Sequence, residues 1–446
     1  MSDWMVTRSS AAARRPRALS TLREHLRDTF WFAPTAAMVG VFVVWAGAQA
    51  LDTAIVDALQ DDRDYDTLDE LLRFAQDAKV VVSAVGSAMM TFIGVVFSIS
   101  LVAVQMASGQ FTPRVVRLFV RSRITKATFA VFLATFVLTL LVLTSFDTAD
   151  DPRAVTTVPL VQSVLTLCMV ALSLLLFVLY VNTTLRLMRI SHVIARIATE
   201  SFRVAASLPV PTGGQPGPDA VRLDSATAWV PHEGRAGVLR DVHITRLVRV
   251  ARKHGVVLRL IPRIGDFVVP GTPVLAVHGG PAPSRRALRY TISVGVERTY
   301  HQDLGFGLRQ LSDIALRALS PAINDPTTAV QALDRIVQLL AALGRRPLDA
   351  ALHRDRGGAV RLVQPVPGWT ELVDLGFSEV RGCAVGNPQV SRRMLAGLDD
   401  LLLLVPPERR EPLLRHRELL RQAVDRSGPA PSDRAFALRP DRQGIG

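Results

Sequence analysis

Four uncharged, apolar runs in the first 190 residues constrain this chain more than any other feature: Thr29 to Leu51, Val80 to Pro113, Ala127 to Phe146 and Ala154 to Leu185. A helix needs about 20 apolar residues to cross the ~30 Å hydrocarbon core of a bilayer. Each run is long enough, and a soluble core rarely places four in succession. The expectation is a membrane α-helical bundle with four transmembrane helices, spanning about 31–51, 80–106, 127–146 and 157–185. Ala48-Gln49-Ala50 resembles a signal-peptidase site, but the long basic stretch ahead of it and the full span length favour a retained helix.

The connectors alternate in charge. Arg8, Arg14, Arg15, Arg17, Arg23 and Arg27 fill a basic N-terminus, 1–28. The stretch Asp52 to Lys79 is rich in Asp. The next connector carries Arg114, Arg117, Arg121, Arg123 and Lys126 with no acid, and the third carries Asp147, Asp150 and Asp151. Arg186, Arg189 and Arg196 follow the last run. Lys and Arg mark the cytoplasmic side, so the pattern implies a multi-pass protein of the inner membrane with both termini cytoplasmic. It also explains the formal net charge of +13 without nucleic acid: the arginines answer anionic lipid headgroups. The two cysteines, Cys168 and Cys383, form neither a disulfide framework nor a zinc spacing, and no cofactor or metal is expected.

Beyond the bundle (29–190) the composition becomes that of a cytoplasmic α+β domain. A connector and linker, 191–235, contains the Pro/Gly-dense Ser207 to Asp219. A small β module, 236–280, follows, with β-branched runs broken at Gly265-Asp266 and Pro270-Gly271. It looks like half a lipoyl-type barrel, but Lys253, the single lysine after residue 126, lies outside the hairpin that would carry a cofactor. A mainly helical region, 281–426, is expected to hold helices starting near Asp303 and at Asp325-Pro326, a strand at "AVRLVQPV", and helices near Ser378 to Leu404 and Pro407 to Asp425. The Pro/Arg-rich tail, 427–446, reads as disordered.

Two stretches carry a family resemblance. "FIGVVFSISLVAVQMASGQFTPRVVRLFVRS" (Phe92 to Ser122) and "ALRALSPAINDPTTAVQALDRI" (Ala315 to Ile336), with "RTYHQDLGFG" ahead of the latter, resemble the bacterial membrane-protein family called domain of unknown function 2254. The resemblance runs from about Thr29 to about Asp425 and implies an architecture, with no reaction, substrate or partner attached.

Candidate site residues follow from where polar groups interrupt apolar ones. In the second run Ser83, Ser87 and Gly94 belong to a small-xxx-small pattern suited to helix packing. Its second half presents Ser98, Gln105 and Gln110, which either line a pathway in a homo-oligomer or pack within the bundle. Ser320, Asn324, Asp325 and Thr327 form a ligand loop or a helix-capping loop. His301 and Asp303 are too few to define a metal or acid/base site. No catalytic constellation emerges, so the protein reads as no enzyme. The best expectation is an oligomeric channel-like or transport-related protein with a cytoplasmic regulatory domain. The alternative is a non-conducting membrane-anchored sensor or scaffold.

Overall fold

The computed structural model describes residues 31–62, 64–110, 122–146, 157–209, 223–428 and 430–443; the side chains of Tyr65, Leu187 and residues 107–110 lie outside the description. The basic N-terminus and the connectors at 111–121 and 147–156, on which much of the charge alternation rests, fall outside the described residues. The chain forms two units, divided at Arg189/Ile190.

The first unit holds four long helices: α1 (Phe32–Asp61), α2 (Tyr65–Gln110), α3 (Arg123–Thr144) and α4 (Leu160–Met188). All four are long and apolar enough to cross a membrane. Two overrun their expected spans. The acidic stretch placed in a loop after Leu51 is helical to Asp61, and α2 starts at Tyr65, with Asp64 accepting from the Thr67 amide at 3.2 Å. The reason is local: between Ala50 and Asp62 no Gly or Pro stops the helix. At about 1.5 Å per residue the 46 residues of α2 reach ~69 Å, more than twice a bilayer's core. Helix α3 is the most enclosed, packing on α1, α2 and α4, with Ala134, Leu138 and Val142 buried against Val41 of α1 and Val82 of α2. Phe92, Phe132 and Phe177 join α2, α3 and α4 with ring centroids 5.8–6.5 Å apart, Phe92 edge-on to the other two and those two tilted against each other.

The second unit begins with α5 (Ile190–Ser207). Strands β1 (Ala228–Pro231), β2 (Gly237–Val242), β3 (Val257–Leu260), β4 (Phe267–Val268), β5 (Pro273–His278) and β6 (Ile292–Gly295) follow, interrupted by α6 (Ile244–Lys253) and the single turn α7 (Arg285–Leu288). Next come α8 (Leu304–Ala318), α9 (Pro326–Leu343), the hairpin β7 (Ala350–Arg354)–β8 (Val360–Pro365), and helices α10 (Trp369–Ala384), α11 (Pro388–Leu404), α12 (Glu411–Arg426) and α13 (Pro431–Ala437). Five strands form a mixed sheet in the order β1-β5-β3-β8-β7; a smaller antiparallel sheet runs β4-β2-β6.

Three expectations need correction here. The β module does not end at 280, because β8 pairs in parallel with β3, Leu258 opposite Leu362, so the sheet reaches across the helical region. The helix expected from Ser378 to Leu404 is two helices, divided where Asn387 takes extended geometry ahead of Pro388. The tail is not featureless: α13 is pinned by Arg392, which lies 4.1 Å from the Phe436 ring, donates to the Arg439 carbonyl at 3.1 Å and meets Asp441 at 3.3 Å. The helical layer follows its apolar stripe, with Leu304, Leu308, Leu311 and Ala315 of α8 at 3 % exposure or less.

Candidate functional site

The polar residues of α2 divide between two faces. Ser100 points inward and shares a hydrogen bond with the Tyr180 hydroxyl of α4, which also reaches the Val96 carbonyl at 3.2 Å. Ser98 and Gln105 point outward and are exposed on the surface of the bundle. So are Ser83, Ser87 and Gly94, with the Ser87 hydroxyl bonded back to the Ser83 carbonyl at 3.3 Å. Among the described residues, no helix covers the small-residue stripe. Gly86, on another face, is the small residue that lets α2 approach α3: a Cβ there would sit 3.8 Å from Thr139 Oγ1. The Gln110 side chain lies outside the described residues.

Inside the bundle runs a second set of polar groups that the apolar runs conceal. Thr135 of α3 and Ser173 of α4 meet at 3.1 Å, one hydroxyl donating to the other, with the Val131 and Met169 carbonyls of their own helices as the competing acceptors. Thr139 and Thr166 are likewise buried and bonded back. Most telling is Asp52, assigned from sequence to an outer loop. It is helical, 1 % exposed, and accepts from the amides of Val161 at 2.7 Å and Gln162 at 3.2 Å. Those amides open α4, whose own N-cap, Pro159, supplies no side-chain acceptor. Asp52 therefore caps α4 from another helix, its charge set against the positive end of the helix dipole. The signal for it was an Asp flush against an apolar run.

In the second unit the Ser320–Thr327 loop is built for capping. Asp325 accepts from the Thr328 amide at 3.0 Å with Pro326 at the first helical position, its own amide returns to the Ala318 carbonyl at 2.8 Å, and Ser320 bonds to the Arg317 carbonyl. Asn324 takes φ +47, the left-handed conformation that turns the chain between α8 and α9. Thr327 is exposed.

His301 and Asp303 do not face one another. Asp303 caps α8 through the Phe306 amide and takes a bidentate pair from Arg298, both N–H···O distances 2.8 Å. Burial pushes the Asp303 carboxyl up, while Arg298 and backbone amides pull it down. Arg298 also stacks over Phe306 at 5.3 Å, and Gly265, at φ +101, leaves the room this pair occupies. His301 faces Asp241 of β2 at 3.4 Å, and burial lowers its pKa. Gln302, at φ +62, clasps Val242, accepting from its amide and donating to its carbonyl at 3.0 Å. The motif thus locks the start of α8 to β2. Among the described residues no group of three His, Cys, Asp or Glu side chains converges for a metal.

Four helices of spanning length joined to a mixed α/β unit are the make-up of a polytopic membrane protein with an appended domain. Residues 27–400 match the family described as "Predicted membrane protein (DUF2254)", and the chain belongs to that family. Two relatives are similar along nearly its whole length, the uncharacterized proteins Mb1321c of Mycobacterium bovis and Rv1290c of Mycobacterium tuberculosis. Each is 29% identical over 456 residues, covering 98% of this chain and 83% of the relative. No solved structure matches the chain.

Proposed function

We propose that this membrane protein works as a channel-like homo-oligomer of the inner membrane, both termini cytoplasmic, with the second unit as its regulatory domain and no catalytic chemistry of its own. One observation carries the reading: Ser98 and Gln105 lie on a face of α2 that, among the described residues, no other helix covers. A primary amide or hydroxyl left without partners in hydrocarbon costs about 2–7 kcal/mol. With this part of α2 in the bilayer, the two side chains call for another copy or a water-filled passage opposite them. Ser83, Ser87 and Gly94 on exposed positions of the same helix suit close approach by that copy.

Flux of ions and small solutes into liposomes carrying the purified protein tests this. Gln105→Leu is expected to abolish or alter flux while leaving the particle assembled. No flux across a broad panel, together with a particle lacking an axial cavity, would reject the channel in favour of a membrane-anchored scaffold.

A further inference from the structure

We propose that the outer face of α6, continued by α7, is a docking surface for anionic lipid headgroups, separate from the arginine-rich connectors of the bundle. Charge is distributed with unusual asymmetry here. From Val242 to Val296 the sequence holds nine Arg or Lys residues (Arg246, Arg249, Arg252, Lys253, Arg259, Arg263, Arg285, Arg286, Arg289) and a single acid, Asp266. Asp266 is engaged locally, accepting from the Arg263 amide at 2.8 Å.

The fold collects much of this charge on one surface. Helix α6 buries Leu247 and Ala251, so Thr245, Arg249, Arg252 and Lys253 fall on its exposed side. Leu288 of α7 packs against the same core as Ile244 and Val248, which sets Arg285, Arg286 and Arg289 beside them, all exposed.

Several arginines elsewhere in the unit are tied to acids: Arg298 to Asp303, Arg309 to Glu379, Arg361 to Asp355, Arg393 to Asp334, Arg417 to Asp399. Among the described residues, Arg249, Arg252, Lys253, Arg286 and Arg289 have no carboxylate partner; Arg285 alone meets one, Glu233, at the exposed rim. The dipole at the end of α6 favours Arg252 and Lys253 but not Arg249, Arg286 or Arg289.

Lipid is preferred over nucleic acid on two grounds. Four apolar helices on the same chain keep this unit beside a bilayer. The surface also ends in Tyr290, 69% exposed and stacked under Arg289 at 4.6 Å, an aromatic beside cations as in interfacial anchors. Each basic residue near an anionic surface strengthens association about fivefold, so losing three weakens docking on the order of 100-fold.

A fluorophore on Thr245→Cys, in a Cys168→Ser/Cys383→Ser background, tests this with the full chain in nanodiscs containing headgroup-spin-labelled lipid. Strong quenching is expected when about a third of the lipid is phosphatidylglycerol, and little in pure phosphatidylcholine. Quenching should be lost at about 0.5 M salt and in Arg249→Glu/Arg252→Glu/Lys253→Glu. Arg286→Glu/Arg289→Glu, on a separate turn, provides a second variant, and unchanged amide exchange in α8 and α9 certifies folding. Quenching indifferent to headgroup charge, or undiminished in both correctly folded variants, would overturn the proposal. So would release of the probe from anionic discs by a short oligonucleotide at stoichiometric concentration. Conduction plays no part in the measurement, so its outcome is separate from that of the channel reading.

Discussion

At Gly307 α8 crosses close to Ser201 of α5, and the site sets two general rules against each other. A Cβ at Gly307 would fall on the Ser201 hydroxyl and lie 2.8 Å from the Ser201 Cβ. Ser201 cannot swing away cheaply: it is 3 % exposed, and its hydroxyl donates to the Ile197 carbonyl at 2.7 Å. Helix propensity alone makes Gly307→Ala stabilising by about 0.5–1 kcal/mol. Overpacking a tight contact costs about 1–3 kcal/mol. The clash should win, leaving the variant about 1–2 kcal/mol less stable. Deleting the obstructing side chain should reverse the sign. Gly307→Ala/Ser201→Gly is expected to be more stable than the sum of the single changes by about 1–3 kcal/mol, the coupling expected of residues in contact. Hydrogen exchange of the α8 amides in the detergent-solubilised chain reads this unit alone. A Gly307→Ala protein as protected as the parent, or singles that simply add, would refute the close crossing of α5 and α8.

Asp52→Ala removes the cap of α4 and is expected to cost about 1–2 kcal/mol, read as earlier thermal aggregation of the solubilised protein; an unchanged midpoint would leave Asp52 without its role. Gly265→Ala forces a side chain into φ +101 and places a Cβ 2.5 Å from Asp303 Oδ2, so exchange at the start of α8 should accelerate, whereas Gly271→Ala, also at positive φ but in open space, should leave α8 unaffected. Burial lowers the pKa of His416, the Asp374 hydrogen bond at 2.7 Å opposes this, and Arg381 at 3.0 Å adds to it. The unfolded chain then binds the proton more readily, so the second unit should lose stability as pH falls below about 6.5, and this loss should shrink in His416→Gln to the share left by His301, whose pKa burial also lowers.

The bundle was legible because spanning a bilayer leaves a long, one-dimensional signal, and all four runs became helices. Their ends were not, because nothing in Ala50 to Gln60 stops a helix and charge alone suggested a loop. Asp52 shows the limit most sharply: that an acid at the edge of an apolar run caps another helix depends on packing far apart in sequence. Asp303, Asp325 and Pro326 were readable because capping is local, as was the α8 stripe. The pairing of β3 with β8 was not, since about a hundred residues separate the strands and short β-branched runs do not name their partners. The second polar half of α2 was visible in the sequence. Its division, with Ser100 inward and Ser98 and Gln105 outward, required the helix's rotation against α4.

That outward face carries the functional account, and spin labels at Ser98 and Gln105 of the protein in lipid test it most directly. With Leu175, an exposed apolar residue of α4, as the lipid-facing reference, the account predicts that both labels collide more with a water-soluble relaxant than with oxygen. Labels at both sites that relax as Leu175 does, through oxygen dissolved in the bilayer, would contradict it.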